Sequence, residues 1–272
     1  MNAIAQALAS PLDFAISRED KAIYEKDVQA VAAGDVLLAY QPIVAARSTD
    51  RPAYYEGLIR ILDEDHTILP AADFIQAVET RPVGRVLDML ALKQGLHDLA
   101  EHPDIRIAIN MSARSIGYPG WIQTLNQGLA RDKSAAERLI LEITESSAVL
   151  MPDLVTTFMA DMHRRGIAFA LDDFGAGYTA FRYLKDFLFD IVKIDRQFII
   201  NIDEDADNQV LASALISVGH HFDMMTVAEG VETPAEAAFL IETGFDCLQG
   251  YYFGMPTTDP VWMDQEQQRK VS

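Results

Sequence analysis

The chain has 272 residues, and 50% of them are hydrophobic, which excludes a disordered chain and supports a packed core. It has 22 Lys and Arg residues and 41 Asp and Glu residues, which gives a net charge of −19. This charge excludes a general nucleic-acid binder and argues against binding to an anionic membrane surface. The one cysteine, Cys247, excludes an internal disulfide and predicts a reducing, cytoplasmic location.

The N-terminal stretch carries the weakest structural signals. It lacks the basic and long apolar segments of a secretory signal, and no apolar run in the chain approaches about 18 residues, so we predict no membrane insertion. Ser17 with Asp20 resembles a capping box, and Gly34 suits a C-cap, which predicts a helix over 18–33. We predict a lead segment over 1–19, one domain over 20–258 and a C-terminal tail over 259–272.

Short apolar runs alternate with longer segments of helical period through the rest of the chain. The runs predict strands at 36–44, 53–62, 105–111, 138–144, 167–173, 189–195, 224–230 and 245–250. The longer segments predict helices near 71–79, 83–100, 119–130, 152–165 and 207–221, and from Pro234 to about Gly244. This alternation implies a mostly parallel sheet. About eight strands in one domain favour a (β/α)8 barrel over an open doubly wound sheet.

Polar side chains end most of these predicted strands. They are Asn110, Glu142, Asp172, Asp173, Lys193, Glu229 and Gln249, and Glu56 lies inside the second apolar run. Each alone fits a helix cap or a turn, but caps favour Ser, Thr and Asp over Glu, Lys and Gln. The C-terminal ends of barrel strands meet at one mouth, so we expect these groups to converge. Carboxylates packed together need cations, and oxygen ligands suit Mg²⁺ or Mn²⁺. No His falls in this set, which argues against a His-based zinc site.

Eight short segments carry a family resemblance. They are YQPIV (40–44), EGLIR (56–60), INMS (109–112), LEITES (141–146), DDFGAGY (172–178), VKID (192–195), AEGVE (228–232) and QGYYFGMP (249–256). In this order and spacing, the chain resembles an EAL-type cyclic diguanylate phosphodiesterase domain over roughly 20–258. The resemblance implies a (β/α)8 barrel with one antiparallel strand.

The resemblance also implies a metal site and a reaction. Glu56, Asn110, Glu142 and Asp172 would hold one Mg²⁺ or Mn²⁺ ion, and Asp172, Asp173 and Glu229 a second, while Ca²⁺ would inhibit. Lys193 would orient or activate the attacking water, with Glu56, Asp173 and Glu229 as the other catalytic residues. The substrate contacts would be Gln41, Leu58, Arg60, Glu232 and Gln249, with the Arg60 guanidinium at a phosphate. The implied reaction opens cyclic di-GMP to linear pGpG without an organic cofactor.

Regulation and partners follow from the same resemblance. Glu145 would anchor the loop Asp173–Phe181, which would lie near a homodimer interface. The sequence leaves open whether the native protein carries an upstream sensory domain. The departures from the family pattern are Gly57 in place of Ala, Leu188 in place of Pro, Met255 in place of a basic residue, and LDML at 87–90 without the usual Trp. None of them removes an expected metal ligand.

Three functions remain open from the sequence. The first is an active metal-dependent phosphodiesterase, and the second is a catalytically silent cyclic di-GMP receptor that relays the signal to a partner. Such receptors often arise by loss of metal ligands, and every expected ligand is present here. The third is a two-metal hydrolase of another phosphodiester. A glycosidase needs only two carboxyl groups, so Lys193 and the additional ligands would be surplus to it.

Overall fold

The computed structural model describes residues 36–62, 67–71, 74–176 and 184–263. The predicted helix over 18–33 lies outside these residues, and the domain boundaries at 20 and 258 remain predictions.

Nine strands form one sheet. They are β1 (Val36–Ala45), β2 (Ser48–Leu62), β3 (Ile68–Pro70), β4 (Ile107–Asn110), β5 (Leu139–Thr144), β6 (Ala168–Phe174), β7 (Ile191–Ile194), β8 (Met225–Ala228) and β9 (Cys247–Gln249). The order is β1-β9-β8-β7-β6-β5-β4-β2-β3, and a further pairing of β1 with β2 closes the barrel. β1 is antiparallel to both its neighbours, whereas β2 and β4 to β9 pair in parallel. The predicted barrel with one antiparallel strand is confirmed, with β3 as an additional strand.

The described helices lie between these strands. They are α1 (Ile75–Val78), α2 (Pro82–Glu101), α3 (Pro119–Arg131), α4 (Glu145–Leu150), α5 (Pro152–His163), α6 (Ala206–His221) and α7 (Pro234–Thr243). Four of them begin with proline, which suits the first helical position because its missing N–H would be unpaired there anyway. No helix in the described part of the chain is long and apolar enough to cross a membrane. The sequence analysis missed β3 and α4.

Side chains alternate between the two faces of each barrel strand. Outward side chains such as Ile107, Leu141 and Phe169 belong to the main core, together with helix residues such as Trp121. The inward side chains form a separate buried cluster, the apolar layer. Its members are Ile43, Tyr54, Ala108, Ile140, Ala170, Ile191, Val227 and Cys247, one from each barrel strand.

Two similar His–Asp contacts tie helices to strands at the N-terminal ends of the strands. Asp246 accepts hydrogen bonds of 2.9 Å from the Thr226 backbone N–H and from His220 Nε2. Asp190 does the same for the Phe169 backbone N–H, at 2.8 Å, and for His163, at 2.9 Å. In each case a carboxylate just before one strand caps the preceding parallel strand. This face of the barrel is therefore held by hydrogen bonds that each aspartate accepts from a histidine and from a strand backbone.

Close packing around Gly57 explains why this position has no side chain. A Cβ at Gly57 would lie 2.9 Å from Ile109 Cδ1, and a Cβ at Gly95 on α2 would lie 2.8 Å from the same atom. Ile109 thus fills the space between β2 and α2 that two side-chain methyl groups would otherwise take. The departure from the family's alanine at this position leaves no gap in the core.

Candidate active site

A second layer of inward side chains lies above the apolar layer. Each barrel strand contributes a polar residue two positions from its member of the apolar layer, on the side of the mouth. This polar layer consists of Gln41, Glu56, Asn110, Glu142, Asp172, Lys193, Glu229 and Gln249. All eight are residues that the sequence analysis proposed for the site, and the closed barrel brings them together.

Lys193 lies at the centre of the polar layer. Its Nζ is 2.8 Å from Glu229 Oε1, 3.0 Å from Asp172 Oδ1, 3.1 Å from Glu142 Oε2 and 3.2 Å from Glu56 Oε2. The side chain is 1% exposed. Burial acts to lower the pKa of Lys193, but the surrounding carboxylates raise it well above its usual value. The ammonium therefore stays charged.

Glu56 and Glu142 face the same lysine in different surroundings. Glu56 also accepts hydrogen bonds of 2.7 Å from Asn110 Nδ2 and from Gln249 Nε2. Burial opposes ionisation of Glu56, but Lys193 and these two donors hold its pKa below the usual value. Glu142 is fully buried, and within the described structure its Oε1 has no hydrogen-bond partner. Burial therefore raises the pKa of Glu142 well above the usual range, and it does the same for Glu229.

Two glutamines close the polar layer on the side of β1 and β9. Gln249 Nε2 donates to Gln41 Oε1 at 3.1 Å as well as to Glu56. Gln41 Nε2 in turn donates to the Gly254 carbonyl at 3.2 Å. These contacts connect the antiparallel strand, the last strand and the segment that follows it.

Asp172, Asp173 and Glu229 form a compact group, with one carboxylate oxygen from each lying within 4.8 Å of the others. Consecutive strand residues normally point to opposite faces. Here the β6–β7 register shifts between Leu171 and Phe174, and Asp173 has φ +56°, so the backbone turns Asp173 back toward Asp172. Partial burial, followed by the charge of Asp172, raises the pKa of Asp173 to about 6.

Glu145 lies at the base of the loop that follows Asp173. It is the first residue of α4 and is buried, and its Oε2 accepts a 3.3 Å hydrogen bond from the Gly175 N–H. Residues 177–183 lie outside the described structure, so only the beginning of the predicted loop Asp173–Phe181 is seen. That beginning is held by Glu145.

A cavity of about 280 Å³ adjoins the polar layer. Glu56, Leu58, Asn110 and Asp172 from the predicted site line it, and so does Asp88 of α2, which the sequence analysis missed. Asp88 accepts hydrogen bonds from the Ser112 N–H at 2.9 Å and from Ser115 Oγ at 2.6 Å. Burial raises its pKa to about 6. Its position within a helical segment gave no strand-end signal.

Two predicted substrate contacts, Arg60 and Glu232, lie outside both the polar layer and the cavity lining. Arg60 is half-buried on β2 and donates to the Ile59 carbonyl at 2.9 Å. Glu232 is exposed and lies 3.4 Å from Arg196 NH2. Glu232 therefore pairs with an arginine at the surface and does not contact Lys193.

The polar layer fits divalent cations of the Mg²⁺ or Mn²⁺ type. With Asp173, five carboxylates face the one ammonium of Lys193, which leaves a formal charge of −4. Because Asn110 Nδ2 donates a hydrogen bond to Glu56, the amide oxygen of Asn110 remains available as a metal ligand. All of these donors are oxygens, which hard cations prefer.

Comparison with known proteins agrees with this arrangement. Residues 26–256 match the EAL domain, so the chain belongs to the EAL domain family. The bifunctional diguanylate cyclase/cyclic di-GMP phosphodiesterase MucR of Pseudomonas aeruginosa is 32% identical over 233 residues, covering 84% of this chain and 34% of MucR. The cyclic di-GMP phosphodiesterase NbdA of the same organism is 31% identical over 233 residues, covering 84% of this chain and 30% of NbdA. The chain thus spans about a third of the length of these relatives.

Solved structures show the same barrel. The PaMucR phosphodiesterase in its c-di-GMP complex matches with a TM-score of 0.79 at 30% identity, covering 91% of this chain and 99% of that chain. The FimX EAL domain from Pseudomonas aeruginosa bound to c-di-GMP matches with a TM-score of 0.78 over 89% of this chain and 97% of that one. At 24% identity, FimX supports the fold alone.

Proposed function

We propose that this chain is a metal-dependent phosphodiesterase that hydrolyses cyclic di-GMP to linear pGpG. The observation that carries the proposal is the polar layer, in which one buried lysine lies within 3.2 Å of four carboxylates beside a cavity. Membership of the EAL domain family and the activities named for MucR and NbdA support the substrate.

Two groups of ligands would hold two ions. Glu56, Asn110, Glu142 and Asp172 would hold the first, and Asp172 would share the second with Asp173 and Glu229. The compact group of Asp172, Asp173 and Glu229 supports the second set, and two divalent cations would balance the formal charge of −4. When bound, such ions supply Lewis acidity and lower the pKa of a bound water.

The chain's own groups would perform the rest of the chemistry. Water attacks phosphorus, the bond from phosphorus to the 3′-oxygen breaks, and that oxygen leaves with a proton. Lys193 would hold the attacking water or offset the charge that develops on the phosphoryl oxygens, because its ammonium is fixed at the centre of the layer. Arg60 would contact a phosphate, and Gln41, Leu58, Glu232 and Gln249 would contact the rest of the substrate.

Regulation would act through the loop that begins at Asp173. The hydrogen bond from Gly175 to Glu145 supports a role for Glu145 in holding Asp173 in register. We infer a cytoplasmic homodimer whose interface lies near this loop. Sedimentation measured beside kinetics tests the dimer: a monomer with full activity, or a Glu145→Ala variant that equals the wild type, would contradict this coupling.

The decisive experiment is an assay of the purified chain on cyclic di-GMP, with pGpG measured by chromatography. We expect turnover with Mg²⁺ or Mn²⁺, none in excess chelator, and binding without turnover in Ca²⁺, whose coordination is longer and looser. Full activity in chelator would refute metal dependence. Binding without turnover under every metal condition would indicate a receptor, and preference for another cyclic dinucleotide would change the substrate.

A further inference from the structure

Glu236 is a buried carboxylate on the mouth side of the barrel, outside the polar layer. It lies in the first turn of α7 and is 3% exposed. Its Oε2 accepts hydrogen bonds from the Glu232 N–H at 2.8 Å and from the Thr233 N–H at 2.9 Å. Its Oε1 accepts a third, of 2.8 Å, from the Asn201 N–H. One carboxylate thus joins the loop after β8 to the segment after β7.

A helix cap explains only part of this arrangement. Thr233 Oγ1 accepts a 3.1 Å hydrogen bond from the Glu236 N–H, and with the bond back to the Thr233 N–H this forms a capping box at the start of α7. The bond from Asn201 spans 35 residues and has no part in that box. Burial acts to raise the pKa of Glu236, but the backbone hydrogen bonds outweigh it and lower the pKa. The carboxylate is therefore charged, which strengthens the hydrogen bonds that it accepts.

Both segments that this carboxylate joins begin at residues of the polar layer. Lys193 lies on β7, and Glu229 directly follows β8, with its Oε1 2.8 Å from Lys193 Nζ. The two segments pack closely, because a Cβ at Gly230 would lie 2.6 Å from Arg196 Cβ. A shift of one segment against the other would therefore move Glu229 relative to Lys193.

We infer that Glu236 is a positioning residue that holds the loop carrying Glu229 against the segment after β7, and so keeps Glu229 in place as a ligand of the second ion. This inference rests on the proposed function, in which Glu229 binds that ion with Asp172 and Asp173. Removing a group that orients a metal ligand typically costs about 10–100-fold in metal affinity or activity. Because Glu236 acts on the loop backbone and not on the ligand itself, we expect a loss of about 10-fold.

The test compares Glu236→Ala with Thr233→Ala. Each removes one half of the capping box, but only the first removes the bond from Asn201, so the second controls for a weakened helix start. By calorimetric titration with Mn²⁺, we expect Glu236→Ala to lower the affinity of the second site about 10-fold and Thr233→Ala to bind as the wild type does. Wild-type affinity in Glu236→Ala, or an equal loss in both variants, would overturn the inference.

Glu236→Gln serves in the same titration if the alanine variant does not fold. Glutamine keeps the size of the side chain, but its NH₂ group cannot accept a hydrogen bond. It must face either Asn201 or the loop after β8, so the bridge is broken on one side. We expect weaker Mn²⁺ binding at the second site, and wild-type affinity would again overturn the inference.

A second measurement needs no metal. Amide hydrogen exchange of the metal-free chain follows the Asn201 and Glu232 N–H groups directly. We expect both to exchange about 10-fold faster in Glu236→Ala, as the loss of one hydrogen bond implies, while the Asn201 amide of Thr233→Ala should exchange as in the wild type. Unchanged exchange at Asn201 in Glu236→Ala would overturn the inference. Failure of the wild type to bind Mn²⁺ would refute the proposed function instead, and the exchange comparison would still decide whether Glu236 joins the two segments.

Discussion

The apolar layer and the polar layer of this barrel come from the same eight strands, two residues apart, yet they act in opposite ways on stability. The apolar layer buries side chains such as Ile43 and Val227 completely. The polar layer gathers carboxylates around one lysine, and burial raises the pKa of Glu142 and Glu229 well above their usual range. The apolar layer therefore stabilises the barrel. The polar layer provides the groups proposed for catalysis and lowers the stability of the fold.

Carboxylates at the other end of the barrel sharpen this contrast. Burial acts to raise the pKa of Asp246, but hydrogen bonds from the Thr226 backbone and from His220 outweigh it, so the pKa is lowered. A carboxyl group that meets donors at the N-terminal face thus favours the folded state. One that meets other carboxylates at the mouth opposes it unless a proton or a cation is bound.

The largest expected effect is on activity in the polar layer. Glu56→Gln, Asn110→Ala, Glu142→Gln and Asp172→Asn should each lower kcat/KM by about 10³-fold, because each removes a proposed metal ligand worth several kcal/mol in the transition state. Hydrolysis at saturating Mg²⁺ is the measurement, with circular dichroism as the check on folding. Glu137→Gln, an exposed carboxylate elsewhere, is the control. Near-wild-type turnover in any of the four would remove that residue from the ligand set.

The apolar layer should respond in the opposite sense. Ile140→Ala should lower the free energy of unfolding by about 2–5 kcal/mol through the lost methylene groups and the remaining cavity, while Ile140→Val should cost about 0.5–1.5 kcal/mol. Urea denaturation measures both. We expect kcat per folded molecule to stay unchanged. A loss of activity without a loss of stability would show that the two layers are not separate in function.

The metal-free chain should lose stability as pH rises. A glutamate whose pKa is raised by folding favours the folded state when protonated, so its contribution is present below its unfolded pKa of about 4.3 and is lost as pH rises toward the folded value. Glu142→Gln should therefore raise the free energy of unfolding at pH 8 by about 1–3 kcal/mol, the cost of a poorly partnered buried charge. Urea denaturation in chelator between pH 5 and 8 would show it. A parallel pH profile for variant and wild type would contradict this assignment.

The smallest expected effect lies at the N-terminal face. Asp246→Asn should lower the free energy of unfolding at pH 7 by about 1 kcal/mol, since hydrogen bonds to a charged group are lost at a site that solvent partly screens. Because the folded pKa of Asp246 is lowered, this contribution is present above pH 4 and is lost as pH falls through the folded value. Denaturation at pH 7 and pH 3 measures the difference. Asp104→Asn, at an exposed aspartate, should change neither value.

The sequence by itself determined most of the element order and the members of the polar layer. Prolines mark the starts of α2, α3, α5 and α7 by local geometry alone. The strand-end residues were predictable because side-chain alternation is also local: an inward apolar residue fixes the direction of the residue two positions later. The eight motifs, in the order and spacing of the EAL family, then identified these residues as one site.

Only the tertiary structure decided how these residues differ from one another. Glu56 and Glu142 look alike at their strand ends, but one meets two amide donors and the other has an unpartnered oxygen, because strand neighbours and barrel closure depend on residues far apart in the chain. Asp88 enters the cavity from a helix, and Glu236 joins two loops from the first turn of α7, so neither carries a strand-end signal. Burial and long-range contacts set these environments, and no local pattern contains them.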